Sequence, residues 1–395
     1  MENSHTSPNE DSEDSSMALY VHWPWCKAKC PYCDFNSRVP IDEPDHKLWL
    51  DAYISEMEHF AGLVGKKPLS SIFFGGGTPS TMKPKTVAGI IEHAERLWGF
   101  QNDIEITLEA NPTSATRQLF EDFKDGGVNR VSIGVQSFGP EHLLFLGREH
   151  SAEQARTTIE DAANIFSRVS FDLIYALAQQ SVAQWEGQLK SALDFAKGLN
   201  IGHLSIYQLG IEPGTPFFRD NVKGAPEDDS VEMFDLTQQL TTDYGLPAYE
   251  ISNHSAAQQI SRHNMVYWQG GEYIGIGPGA HGRYGRGAKR CAHHQIADPK
   301  NWLEKIKQSG HGTAKTKKLP ANEAIEERIL TGLRITSGVG RKSFEKDFSM
   351  KLESALNQQG LLQMLDLKMV EIDEHGLRAT AQAKIKLNSV IERLL

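Results

Sequence analysis

The sequence predicts an α/β protein: a parallel β/α core of six strand–helix units followed by a small C-terminal domain, mostly helical. Three observations carry this expectation. From residue 18 onward, short apolar runs alternate with amphipathic stretches of helical spacing, the order that builds a parallel sheet. Polar residues or glycines recur at the carboxyl ends of those runs, where parallel β/α folds bind ligands. The rhythm then changes near residue 250 and again after residue 285.

In chain order, residues 1–16 are rich in Ser, Asn, Glu and Asp with almost no large apolar side chains. They are expected to be disordered. Strands are read at 18–22 (ALYVH), 71–74 (SIFF), 104–109 (IEITLE), 130–136 (RVSIGVQ), 169–174 (VSFDLI) and 203–208 (HLSIYQ). Between them, 48–60 carries Leu48, Leu50, Ala52, Tyr53, Ile54, Met57 and Phe60, mixed with acids, at helical spacing. The stretch 151–166 opens on Ser151 and Glu153, a cap and an acidic first turn. At the strand ends stand His22, Gly75 to Thr78, Glu109, Gln136, Asp172 and Gln208. Six units suit a partial barrel over 17–250, although an open sheet fits the same pattern.

The segment 251–310 reads as a linker and closing segment, with GIGPGAH (275–281) as a tight loop over the barrel. A polar connector is expected at 311–318 (HGTAKTKK), opening a C-terminal domain over 311–395. Within it, 321–334 is helical and 351–372 is a helix, Gly360, then helix or strand. DEHG (373–376) is a turn and 380–395 a last helix. A winged-helix DNA reader has a similar element order, but here acids balance the bases, against what phosphate binding needs.

Composition narrows the function. The 395 residues carry a net charge of −10. Five of the acids, Glu2, Glu10, Asp11, Glu13 and Asp14, lie in the tail. The remaining body is mildly acidic, which argues against a nucleic-acid binder. No apolar run has the length of a membrane span, and no basic and apolar leader is present. Four cysteines, three of them clustered, suit the reducing cytoplasm.

The clustered cysteines are the most specific motif. Cys26, Cys30 and Cys33 lie in YVHWPWCKAKCPYCDF with C-x3-C-x2-C spacing. Three thiolates can hold three irons of a [4Fe–4S] cluster and leave the fourth open to a substrate. Zinc is the alternative. It wants four ligands in paired spacing, with His22 as a conceivable fourth. An odd cluster of three does not make a disulfide framework. Lys27 and Lys29 either stabilise thiolates or are merely solvated. GGGTP (75–79) follows a strand, and glycines there let backbone approach a ligand. It lacks the GK[ST] of a phosphate loop. Glu109 at a strand end is either a surface ion pair or a buried carboxylate needing a partner. In HNMVYW (263–268), His263 offers an imidazole, while Tyr267 and Trp268 offer flat surfaces. A lone histidine among aromatics is more often packed than ligating, and His281 is a weaker candidate.

The CxxxCxxC triplet, with Tyr32 before its third cysteine, resembles the radical S-adenosylmethionine (radical SAM) superfamily. The ordered segments YVHWPWC, FFGGGTPS, ITLEANP, VSIGVQSF, LGREH, FDLIYAL, LSIYQLGIEPGTPF and SRHNMVYW resemble its coproporphyrinogen oxidase-like branch, and within it the HemW-type haem chaperones. They span roughly residues 18 to 285. The resemblance implies a partial (β/α)6 radical SAM barrel with a small helical, winged-helix-like C-terminal domain. It implies three bound groups: a [4Fe–4S] cluster on Cys26, Cys30 and Cys33, S-adenosylmethionine (SAM), and haem.

Around cluster and SAM the resemblance places Tyr20, Tyr32, Gly76, Gly77, Thr78, Glu109, Gln136, Arg148, Asp172 and Gly210. Gln136 and Arg148 would face carboxylate and ribose, and Asp172 the ribose. His263 becomes the haem candidate. Acceptor haemoproteins and an electron donor are implied as partners, with a peripheral membrane contact and a homodimer as further options. No catalytic residue is assigned. The runner-up is oxygen-independent coproporphyrinogen III oxidase, whose motif has a fourth cysteine where this chain has Phe35. The chain also has DLIYALAQQ where the family has DLIYGLP, which puts the shape of the adenosine pocket in doubt.

Overall fold

A computed structural model describes residues 16–395, so the acidic tail expected to be disordered lies outside the described residues apart from Ser16. The six expected strands are β1 (Met17–Trp23), β2 (Leu69–Gly76), β3 (Phe100–Ala110), β4 (Arg130–Gln136), β5 (Arg168–Tyr175) and β6 (His203–Gln208). They pair in parallel and in chain order. Successive side chains of a strand point to opposite faces, and these strands divide by chemistry. Leu19, Val21, Ile72, Phe74, Ile106, Leu108, Val131, Ile133, Phe171 and Leu204 are buried on the outer, helix-covered side. Residues of the other parity, among them Ser71, Glu105, Thr107, Arg130, Ser132, Ser170, His203 and Ser205, are buried and polar. A sheet that is apolar outward and polar inward surrounds a polar interior.

The covering helices start and stop for local reasons. Asp45 caps the helix His46–Val64, its carboxylate accepting from Lys47 N (3.0 Å) and Leu48 N (3.2 Å). Ser151 with Gln154, and Ser181 with Gln184, form capping boxes on Ala152–Ile165 and Val182–Gly198. The helix Pro84–Trp98 buries Val87, Ile90, Ile91, Ala94 and Trp98, one stripe at helical spacing. Each large apolar side chain so buried stabilises the fold by about 1.5–3 kcal/mol.

The segment 251–310 is more than a linker. It supplies β7 (Asn253–Ser255), antiparallel to β6, and β8 (Glu272–Ile276), parallel to β1 on the other side. β9 (His281–Tyr284), β10 (Cys291–Gln295) and β11 (Thr313–Lys318) extend that side as an antiparallel meander. The result is an eleven-stranded open sheet, β11-β10-β9-β8-β1-β2-β3-β4-β5-β6-β7. The expected connector at 311–318 is therefore largely an edge strand. β11 is almost wholly exposed and carries Lys315, Lys317 and Lys318, the composition that protects edges from further pairing and hides a strand from hydropathy. GIGPGAH forms the end of β8 and the turn into β9 rather than a lid. Gly277 (φ +93°) passes so close to β1 that a Cβ would lie 2.4 Å from the His22 carbonyl oxygen.

The C-terminal domain has its own core, including Ile329, Leu333, Phe344, Leu361, Val370, Leu377 and Ile391. Helices Ala321–Gly332, Arg341–Phe348 and Gln358–Asp366 precede a hairpin of β13 (Val370–Ile372) and β14 (Gly376–Ala379). β12 (Val339–Gly340) completes a sheet of order β12-β14-β13, and the helix Leu387–Leu394 follows. At the expected turn, Asp373 accepts from His375 N (2.8 Å) and Gly376 N (3.2 Å). The domain is pinned to the sheet by Glu327, which pairs with Arg283 (2.8 Å) and Arg290 (2.9 Å).

Candidate functional site at the barrel mouth

The cysteines lie on the loop that leaves the carboxyl end of β1. Cys26 is buried, Cys30 and Cys33 are half-buried, and none is in a disulfide. The loop is tied at both ends: Cys26 N donates to Arg38 O (2.9 Å) and Arg38 N to Pro24 O (2.8 Å). Lys29 Nζ donates to Ser37 O (3.1 Å) and Lys27 Nζ to Thr113 O (3.0 Å). Both lysines, although exposed, donate to backbone carbonyls in or beside the loop. His22, the conceivable fourth zinc ligand, is engaged on both nitrogens, with Tyr20 Oη (3.0 Å) and Asn36 O (2.9 Å). Burial pushes its pKa down.

The loop fits a cluster better than a single metal ion. Among the described residues no three His, Cys, Asp or Glu side chains converge on one metal position. An iron–sulfur cubane does not need that, because each thiolate takes a different iron. Gly77 lets the loop approach closely: a Cβ there would lie 3.0 Å from Cys26 Sγ and 2.7 Å from Trp25 O. Arg148 sets its guanidinium against the loop, Nη1 donating to Cys30 Sγ (3.3 Å) and Nη2 to Gly134 O (2.6 Å). Its Nε is buried and unpartnered. Gly134 leaves room for Gln136 Nε2, which would stand 3.1 Å from a Cβ there. Gln136 itself ends β4 at φ +72°, a left-handed conformation that costs a non-glycine residue about 1–3 kcal/mol and clusters at ligand sites. Tyr32 packs on Phe217, ring centroids 6.3 Å apart. A cleft at this mouth is lined by Cys30, Thr78, Asn111 and Arg148.

Deeper in, a cavity of about 210 Å³ is lined by Tyr20, Phe73, Glu109, Arg130, Asp172 and His263, among others. Burial raises Glu109 to about 8, with Asp172 adding to the rise and the Gly76 N–H opposing it. Burial likewise raises Asp172 to about 6, against hydrogen bonds from Ser205 and Ser132. Burial thus favours the neutral form of Glu109, against the pull of the Arg130 guanidinium. The structure brings Tyr20, Glu109, Asp172 and His263 around one cavity, and Thr78, Cys30 and Arg148 around the cleft beside it. Gly210 stands apart, exposed beyond β6, where a Cβ would lie 3.5 Å from Glu212 Oε1.

Two functional elements escaped sequence reasoning. Arg130, 2% exposed, is the guanidinium that opposes the rise of both carboxyls. Only the inward parity of an Arg opening an apolar strand signals it. Glu105 closes the opposite end of the barrel. Its fully buried carboxylate pairs with Arg168 (2.8 Å) and accepts from Arg262 N (3.2 Å) and His263 N (3.1 Å), capping the helix Arg262–Trp268.

That helix holds HNMVYW and plugs the amino end of the barrel. His263 is 1% exposed, with Nδ1 bonded to Ser71 Oγ (2.9 Å) and Nε2 to Tyr267 Oη (2.6 Å). It stacks on Phe73 at 4.9 Å, and burial lowers its pKa to about 3. No lone pair faces out. Both ring nitrogens of His263 are thus engaged within the protein, and its ring lines the inner cavity. The DLIYALAQQ departure also gains a physical meaning: Ala176 sits at φ +58°, where glycine is unstrained.

The comparisons agree with this geometry. Residues 20–192 match the radical SAM superfamily and residues 319–385 the HemN C-terminal domain. The chain is 37% identical to the mouse "Radical S-adenosyl methionine domain-containing protein 1, mitochondrial", covering 98% of this chain and 89% of that protein. It is 31% identical to "Heme chaperone HemW" of Bacillus subtilis and 32% to that of Escherichia coli, with 96% of this chain covered and 99% and 98% of theirs. Among solved structures, coproporphyrinogen III oxidase (HemN) from Escherichia coli superposes with a TM-score of 0.81 at 20% identity, over 96% of this chain and 90% of that one, a likeness of fold. No described helix is long and apolar enough to cross a membrane. With its cysteine loop, its carboxyl-lined barrel and relatives matched along nearly their whole length, the chain belongs to the radical SAM superfamily, in the family of the HemW proteins.

Proposed function

We propose that this protein is a haem chaperone: it binds haem and passes it to acceptor haemoproteins, keeping a [4Fe–4S] cluster and SAM at the barrel mouth. The observation that carries this reading is the match, nearly end to end, to relatives named heme chaperone HemW. When bound, the cluster and SAM supply reductive cleavage of a sulfonium, with the electron coming from a separate donor protein. Cys26, Cys30 and Cys33 each hold one iron. Arg148 and Gln136 orient the carboxylate and ribose of the cofactor, with Thr78 and the Gly76–Gly77 backbone beside it. Glu109 gives up its proton to meet a cationic group, and Asp172 accepts from the ribose. Phe35, exposed where the oxidase has a fourth cysteine, favours chaperone over oxidase. The cytoplasm is the proposed compartment. The relatives named mitochondrial make the mitochondrion the competing one, and cell fractionation decides.

The test is anaerobic reconstitution followed by two assays on one sample. Haemin titration should give a saturable Soret band, and coproporphyrinogen III with SAM and reductant should stay unconverted. Formation of protoporphyrinogen IX would replace the chaperone reading by the oxidase.

A further inference from the structure

The barrel interior holds a cation without an acid of its own. Arg130 opens β4 and Arg168 opens β5, in register with each other. Arg168 has Glu105 as its acid (2.8 Å), and Arg262 beside it has Asp103 (2.6 Å). Arg130 has neither. Its side chain is 2% exposed, makes no hydrogen bond or ion pair among the described residues, and lines the inner cavity of about 210 Å³. A guanidinium taken out of water without a partner costs several kcal/mol, and a charged group left so at the wall of a cavity marks a binding site.

The acids of the cavity do not replace that partner. Neither Glu109 nor Asp172 pairs with Arg130, and Asp172 accepts instead from Ser132 Oγ (3.3 Å). Burial drives both carboxyls toward their neutral forms. The rest of the lining selects the kind of anion. One wall is aromatic: Tyr20 stacks on Phe73 (ring centroids 6.3 Å apart), and Phe73 on His263 (4.9 Å). A flat apolar wall beside one cation suits an alkyl carboxylate, with its methylenes on the rings and its head group on the guanidinium. The planar fork of arginine meets a carboxylate with two parallel hydrogen bonds. A phosphate would bring more negative charge than a single guanidinium answers.

We propose, resting on the chaperone reading, that Arg130 receives a haem propionate. The propionate arm enters the inner cavity along the Tyr20–Phe73–His263 wall and ends on the guanidinium. Arg130 is then a positioning cation for haem, not an iron ligand. The arm supplies the counter-charge that the chain itself withholds from Arg130, and it fixes one edge of the macrocycle relative to the helix Arg262–Trp268 and to Glu109 and Asp172.

The experiment titrates the full chain, its cluster reconstituted, with haemin and with haemin dimethyl ester, followed at the Soret band. The ester keeps iron and macrocycle but loses the charge of the arms. Wild type should bind haemin about tenfold or more tighter than the ester, equivalent to about 1.4 kcal/mol. Arg130→Gln should abolish that preference by weakening haemin alone, and Arg130→Lys should keep part of it. The cluster's EPR signal should persist in both variants as evidence of folding. Equal affinity of wild type for haemin and ester, a comparison that needs no variant, overturns the site and leaves the chaperone reading standing. A preference retained in Arg130→Gln, with both ligands weakened alike or not at all, also overturns it. Wild-type protein that takes up neither compound overturns the chaperone reading, and the site with it.

Discussion

The two ends of the barrel are built on opposite principles. At the amino end the carboxylate and the imidazole are answered: Glu105 by Arg168 and two helix N–H groups, His263 by Ser71 and Tyr267, while the Arg168 Nε is left without a partner. Arg328 closes it from below, its Nη1 donating to Trp268 O (3.4 Å). At the carboxyl end the groups wait. Arg148 Nε lacks a partner, the three cysteines form no disulfide, and Glu109 and Asp172 are held away from the ionised forms they would have in water. Buried groups that satisfy one another make a wall, whereas buried groups left wanting make a binding site.

The contrast can be broken at its strongest point first. Replacing Cys26, Cys30 and Cys33 together by Ala should remove all cluster iron and its EPR signal, measured after anaerobic reconstitution, while Cys291→Ala keeps both. Fold stability should hardly change, because these thiols satisfy nothing in the wall. Stoichiometric zinc without iron in wild-type protein would refute the cluster.

The reverse outcome is expected at the floor. Glu105→Ala strands the Arg168 guanidinium and uncaps the helix, so denaturant unfolding should show a loss of about 3–5 kcal/mol. Cluster ligation should survive wherever the variant is folded. Equal stability of Glu105→Ala and wild type would mean that the floor is not the structural end.

The smallest effects test the carboxyls. Glu109→Ala or Asp172→Ala should weaken SAM binding by about 1.5–3 kcal/mol each, read as a lost EPR perturbation, with little loss of fold stability. The pH dependence follows with a definite sign. Glu109 rises from its ordinary 4.5 to about 8 on folding, and Asp172 from 3.8 to about 6. Each contributes stability that is complete below the unfolded value and lost as pH rises through the folded one. Cofactor-free protein should therefore lose stability progressively between about pH 4 and 8, and Glu109→Gln should flatten that slope. A cationic cofactor reverses the preference, so SAM binding should release protons and tighten up to about pH 8. Calorimetry in buffers of different ionisation enthalpy measures the release.

Much of this was legible in one dimension. The six parallel strands were readable because alternation is local: Leu19, Ile72 and Val131 face helices while Tyr20, Ser71 and Arg130 face inward, each written in the neighbours of one residue. The cysteine triplet was readable because its chemistry lies within eight residues. The strands β7 to β11 were not, since short polar edge strands such as Thr313–Lys318 lack an apolar face and are defined by partners far along the chain. Nor was the placement of His263. The sequence shows an imidazole near two aromatics in either a ligand site or a core. Only the packing of its helix against Ser71, Phe73 and Glu105, contributed by β2 and β3 more than 150 residues earlier, decides that the ring is enclosed. Hydrogen-bonding partners and access are properties of three-dimensional neighbours, and those neighbours exist only once the barrel is closed at its floor.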